Sequence, residues 1–74
     1  MNKPKVGEIY RHFKGFKCPI IAIAKDSENL EELVIYEHDG EIWARSLEMF
    51  MSKVDKEKYP DVEQEYRFEL IKED

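Results

Sequence analysis

The chain has 74 residues, of which 42% are hydrophobic and 39% are charged, and its formal net charge at pH 7 is −5. This length allows one domain, which we place over residues 1–74, with a single thin core, so large enzyme folds are excluded. The composition is too hydrophobic for a disordered chain and too charged for a membrane protein. We therefore expect a small soluble globular protein.

Charge is unevenly distributed along the chain. Residues 1–25 carry a net charge of +5 and residues 26–74 a net charge of −10. The basic part could offer an anionic ligand such as RNA five cations: Lys3, Lys5, Arg11, Lys14 and Lys17. Alternatively, the two parts complement each other across a sheet, and the negative total argues against a general nucleic-acid binder.

Cysteine and histidine are sparse. The single cysteine, Cys18, excludes an internal disulfide, and the N-terminus lacks the pattern of a signal peptide, which favours a cytoplasmic protein. Cys18 lies in an apolar run of strand length, where we expect an inert core thiol. His12 and His38 lack the spacing of zinc ligands, so we expect no metal and no cofactor.

The first half of the chain predicts two strands and a hairpin. Strands are expected at 7–13 and 17–25; Pro19 interrupts the second and belongs on an edge or at a bulge, because proline cannot donate to a ladder. Asp39-Gly40 between apolar segments at 33–38 and 41–45 is typical of a type I′ hairpin turn.

The second half predicts one helical turn and one further strand. Ser46 can cap a helical turn at 47–51, and the period-two alternation at 66–71 is typical of a half-buried strand. Between them, the charged segment 53–65 reads as a surface loop, although a helix there stays open as an alternative.

These elements predict a mainly β fold: a small SH3-like barrel or roll of about five strands, with one short helical turn before the last strand. Closing such a sheet would remove its exposed edges. The apolar second strand is expected to be long and bent, so that it serves both halves of the sheet.

Three blocks of the sequence resemble a known family. They read GEIYRHFKG at 7–15, AKDSENLEELVIY at 24–36 and WARSLEMF at 43–50. Together they resemble the signature of domain-of-unknown-function family 1653, over about residues 6–54. The resemblance implies a small bacterial domain with an SH3-type barrel fold, and it implies no function.

The chain departs from the family pattern at two places. Ser46 stands where the family commonly has proline, and a short hairpin at 37–42 replaces a longer glycine-containing loop. If that loop shapes a binding site in relatives, the site here would be shallower or absent. The tail from Asp55 onward lies outside the resemblance.

The most suggestive candidate binding set consists of aromatic residues with a histidine and an arginine: Tyr10, His12, Tyr36, Trp43 and Arg45. Strand alternation puts Tyr10 with His12, Tyr36 with His38, and Trp43 with Arg45 on the same face of their strands. Such a face could stack a planar ligand or hold an extended peptide. The alternative is that its aromatic members belong to the core.

These observations favour a non-enzymatic binding module whose partner is a protein or peptide. Binding of RNA or another anionic ligand through the basic N-terminal half is the second possibility, and an enzyme of unknown type is the third. Catalysis is the weakest of the three because the sequence has no nucleophile motif and no phosphate-binding loop.

Overall fold

The structure, a computed structural model, describes residues 3–71 of the chain. The elements in chain order are β1 (Ile9–His12), β2 (Lys17–Lys25), β3 (Glu32–His38), β4 (Glu41–Ser46), α1 (Leu47–Phe50) and β5 (Phe68–Leu70). The prediction of a mainly β fold with five strands and one helical turn before the last is confirmed. The first two and last three residues of the predicted domain lie outside the described part.

The five strands form one antiparallel sheet in the order β4-β3-β2-β1-β5. Among the described residues, β4 pairs only with β3 and β5 only with β1. Of the two predicted forms, a barrel or a roll, the closed barrel is therefore not found. With three residues, β5 is half as long as β4, so few ladder hydrogen bonds could join these two edges.

Strand β2 is shared between the two parts of the sheet, as predicted. Its first residues pair with β1, and those from Ile20 onward pair with β3, with an irregularity in register between Ile20 and Ala22. Pro19 lies in a central strand just before this irregularity, so of its two predicted positions the edge is not found, and the bulge is the one next to which it lies. The N–H of Ile20 donates to the carbonyl of Glu8 at 2.8 Å. Because successive residues direct their backbone groups to opposite sides of a strand, the nitrogen of Pro19 points away from β1, so its missing N–H costs the β1–β2 ladder no hydrogen bond.

Both predicted local signals around β4 are confirmed. Asp39 and Gly40 have φ values of 54° and 76°, as a type I′ turn requires. At the other end of β4, the Ser46 hydroxyl accepts a hydrogen bond from the N–H of Met49 at 3.2 Å and caps α1.

The charged segment 53–65 is a loop, so the helical alternative is wrong. It contains turns at 56–58 and 60–61 within irregular backbone, and its ends are held together because the N–H of Val54 donates to the carbonyl of Glu65 at 2.9 Å. Lys53 and Tyr66 form an isolated bridge at the same place. None of the helices in residues 3–71 has the length and apolar character needed to cross a membrane.

The core is built around Phe50 of α1, which is 1% exposed. Its ring stacks on Phe68 with centroids 4.1 Å apart and meets Tyr10 edge-on at 5.1 Å. Cys18 and Val34 are fully buried beneath these rings. Cys18 is therefore a core thiol, as predicted, and burial raises its pKa to about 11.

Candidate functional site

A cavity of about 170 Å³ opens on the inner side of the sheet. It is lined by six residues: His12, Phe16, Tyr36, His38, Trp43 and Arg45. Four of the five residues in the predicted binding set are thus brought together. They come from β1, β3 and β4, so the curvature of the sheet, rather than any single strand, makes the cavity.

One wall of the cavity consists of stacked rings. His38 stacks on Phe16 with centroids 3.7 Å apart and planes 21° apart. Phe16 in turn stacks on His12 at 4.4 Å, with planes 8° apart. The three nearly parallel rings hold each other in place and give the cavity a flat, largely apolar side.

Trp43 and Tyr36 lie opposite each other on β4 and β3. Tyr36 is buried in the core, whereas Trp43 remains 46% exposed. The indole N–H of Trp43 donates to the carbonyl of His38 at 3.4 Å, which ties the ring to the β3–β4 hairpin. The sequence left open whether these aromatic residues belong to the core or to a binding surface. Tyr36 belongs to the core, and Trp43 lies at the surface.

Arg45 is the one cation that lines the cavity within the described residues. Its guanidinium carbon lies 5.4 Å from the centre of the Phe68 ring. The ion pairs of residues 3–71 join Lys3 to Glu32 and Lys53 to Glu65, so no carboxylate of this part of the chain pairs with Arg45. The cavity therefore has a positive charge that no acid of the described residues neutralises through an ion pair.

His12 is buried at the edge of the cavity, with 8% of its surface exposed. Burial is the main cause of the lowering of its pKa to about 4, and the positive charges of Arg45, Lys14 and Arg67 add to it. The backbone N–H of Lys14 donates to Nδ1 of His12 at 3.1 Å. The imidazole is therefore neutral at pH 7, and its single proton belongs on Nε2.

Tyr10 lies outside the cavity, unlike the other members of the predicted set. Its ring packs edge-on against Phe50 in the core. Burial, with a smaller effect of Glu8, raises its pKa. Period-two alternation placed it correctly on the face of His12, but that face is covered by α1 at this position.

The five predicted cations do not form one patch. Arg11 and Lys17 lie opposite each other on β1 and β2, with Glu69 on the other side of Arg11. Lys3 pairs with Glu32, which lies opposite the far end of β2. At about 3.3 Å per residue, roughly 25 Å of strand separates that end from Lys17.

A second cavity, of about 210 Å³, lies between β3 and α1 and is acidic. Glu31, Glu32 and Glu48 line it together with Ser46 and Leu47. Nevertheless, no group of three or more histidine, cysteine or acidic side chains in residues 3–71 is placed to hold a metal ion.

Two cavity residues, Phe16 and His38, were not in the predicted set. Period-two alternation predicts His38 on the face of Tyr36, although the predicted set does not include it. Strand alternation gives no such prediction for Phe16, because this residue precedes β2. Its ring lies at the cavity, where it stacks on His12 and His38.

Comparison with known proteins gives one match. The family model described as "Protein of unknown function (DUF1653)" matches residues 8–70, so the match extends well past the predicted limit at 54 and includes most of the tail. Searches of curated proteins and of solved structures found no match. The chain belongs to the DUF1653 family.

Proposed function

We propose that this protein is a non-enzymatic module that binds an extended peptide of a partner protein at the cavity beside Trp43. The observation that carries the proposal is the position of Trp43, half-exposed on an edge strand and at the rim of an aromatic cavity. Exposed aromatic anchors beside a preformed cavity supply much of the binding energy in small interfaces.

The size of the cavity favours a peptide over a whole small molecule. Sites for drug-sized ligands have volumes of about 300–1,000 Å³. The cavity here has about 170 Å³, which is room for one side chain. A peptide lying along the sheet could insert a single residue and place its other contacts outside.

The residues around the cavity favour binding over catalysis. Among the described residues, the lining of the cavity includes no carboxylate, no thiol and no serine or threonine. Its one hydroxyl group is the phenol of Tyr36, which is buried. His12 could serve as an acid or base only with a partner group, and its lowered pKa leaves it neutral. Cys18 is buried with a raised pKa, which disfavours the reactive thiolate.

Binding of RNA or another anion through the basic residues is the weaker candidate. Only Arg11 and Lys17 of the five cations lie in strands, Lys3 pairs with Glu32, and the protein as a whole is acidic. Phosphate binding through several cations would weaken steeply as salt is raised, whereas a peptide held mainly by apolar and backbone contacts would change little. Salt dependence therefore separates the two candidates.

A displayed library of random peptides tests the proposal. Peptides would be selected on the protein, and the binding of each labelled peptide to every variant followed by fluorescence polarisation. In the unmodified protein, binding is also followed by the fluorescence of Trp43, the only tryptophan in the chain. We expect enriched peptides that alter this fluorescence and lose binding to Trp43→Ala. Ile21→Ala is the matched control, because Ile21 is also 46% exposed but lies outside the cavity. Enrichment of no peptide, or equal binding to both variants, would refute the proposal.

We further infer a bacterial, cytoplasmic protein whose open roll is a variant of the SH3-like architecture. The free cysteine suits a reducing compartment. Strand β2, which pairs with β1 and then with β3 across an irregularity in register, supports the relation to SH3-like rolls.

A further inference from the structure

We infer that the bound peptide adds to the sheet as a strand beside β4 and inserts an acidic side chain between Arg45 and the Nε2–H group of His12. This inference rests on the function proposed above and specifies both the docking mode and the chemistry of the inserted residue.

The first step concerns the edge of the sheet. In the described chain, β4 pairs with β3 on one side and with nothing on the other. A type I′ turn closes on a hydrogen-bonded pair, here His38 and Glu41, and bonded pairs then alternate along the ladder. Ile42 and Ala44 therefore turn their N–H and C=O groups toward the open edge, where an extended peptide can pair with them.

The second step concerns the face of β4 that meets the cavity. Trp43 and Arg45 lie opposite Tyr36 and Val34 and share the inner face with them. Residues of an added strand that lie opposite Trp43 and Arg45 would point to this same face. The peptide should thus contact the cavity with two side chains two positions apart, one beside each of these residues.

The third step concerns charge. Arg45 contacts the ring of Phe68 but pairs with no carboxylate in residues 3–71, although 15 of the 17 acidic residues lie in this part of the chain. Arg45 shares the lining with two histidines and three other aromatic residues, and His12 offers a hydrogen-bond donor without a charge. One carboxylate matches this combination of one cation and one neutral donor.

The same library, selected separately on variants at Arg45, tests the inserted residue. On the unmodified protein we expect an acidic residue enriched two positions from an apolar or aromatic one. On Arg45→Gln the acidic preference should disappear, and peptides selected on the unmodified protein should bind about tenfold more weakly or worse. Arg45→Lys, which keeps the charge, should retain the acidic preference.

Hydrogen exchange tests the docking mode. Addition of a selected peptide should slow the exchange of the Ile42 and Ala44 amides, and methylation of alternate peptide nitrogens should abolish binding in one register. Trp43-dependent peptides without an acidic preference, or without protection of these amides, would overturn this inference and leave the proposed function standing. If no peptide depends on Trp43, both fail. Circular dichroism confirms that each variant is folded.

Discussion

Arg45 and Phe68 connect the two edges of the sheet. The guanidinium carbon of Arg45, on β4, lies 5.4 Å from the centre of the Phe68 ring, on β5. Because β4 and β5 share no ladder in the described chain, this cation–π contact spans the open side of the roll. Phe68 also stacks on Phe50, so the residue that carries the charge of the cavity rests directly on the core.

The first prediction concerns Phe50. Its replacement in Phe50→Ala removes a fully enclosed ring that packs against Tyr10, Tyr36 and Phe68. We expect a loss of about 3–5 kcal/mol in the free energy of unfolding, which is most of the stability of so small a domain. Urea unfolding followed by Trp43 fluorescence measures it. Phe50→Leu, which keeps most of the volume, should lose clearly less; equal losses would contradict the packing described.

The second prediction concerns the stability of the Trp43 variant. Because the indole is 46% exposed, Trp43→Ala should lose only about 1 kcal/mol in the free energy of unfolding. Circular dichroism in urea gives this value, since the variant has no tryptophan fluorescence. Ile21→Ala, at equal exposure, should lose a similar amount. A loss for Trp43→Ala as large as that for Phe50→Ala would place Trp43 in the core.

The third prediction concerns acid. The pKa of His12 is about 4 in the folded protein, against 6.5 ordinarily, so the unfolded chain binds the proton more readily. The stability due to neutral His12 is therefore complete above pH 6.5 and is lost as the pH falls toward 4. The loss should be on the order of 2–3 kcal/mol. Urea unfolding at a series of pH values measures it.

His12→Asn is the control for this prediction. Asparagine does not titrate, and its side-chain oxygen can still accept from the N–H of Lys14. Subtracting its pH profile from that of the unmodified protein removes the effect of the carboxylates. If the two profiles run parallel between pH 6.5 and 4, His12 is not held neutral by the fold.

The fourth prediction concerns Cys18. Its thiol is buried and its pKa is raised to about 11, so little thiolate is present or accessible at pH 8. A disulfide reagent should modify the folded protein far more slowly than the protein in urea. Absorbance of the released thiol gives both rates. Rapid modification of the folded protein would show that Cys18 is accessible.

A further expectation is that a chelator leaves the melting temperature unchanged. The sequence predicts no bound metal, and a thermal melt with and without EDTA measures the effect directly. A decrease of more than a few degrees would indicate a metal site.

Local signals in the sequence predicted the fold well. The Asp39-Gly40 turn, the Ser46 cap and the sharing of the long β2 between the two parts of the sheet were each predicted from short-range preferences, and each is present. The lack of closure could not be predicted in this way. It depends on the short length of β5, and Tyr66 and Arg67 continue its alternating pattern although they lie outside the strand.

The candidate site was predicted in part, for a similar reason. Alternation assigns a side chain to a face, but the depth of burial depends on what covers that face. Tyr10 and Trp43 both lie on inner positions, yet α1 covers Tyr10 while the open edge leaves Trp43 exposed. The stacking of Phe16 on His38 depends on sheet curvature, which no short segment of the sequence specifies.

Chain connectivity makes the two edges of the sheet unequal during folding. A two-residue turn joins β3 to β4, so this hairpin can form within microseconds in a chain of any length. By contrast, pairing β5 with β1 brings His12 to Phe68 across most of the sequence, at a much larger entropic cost of loop closure. We therefore expect β5 to dock last. Until that final folding step, the side of the Phe50 ring that stacks on Phe68 should remain exposed to water.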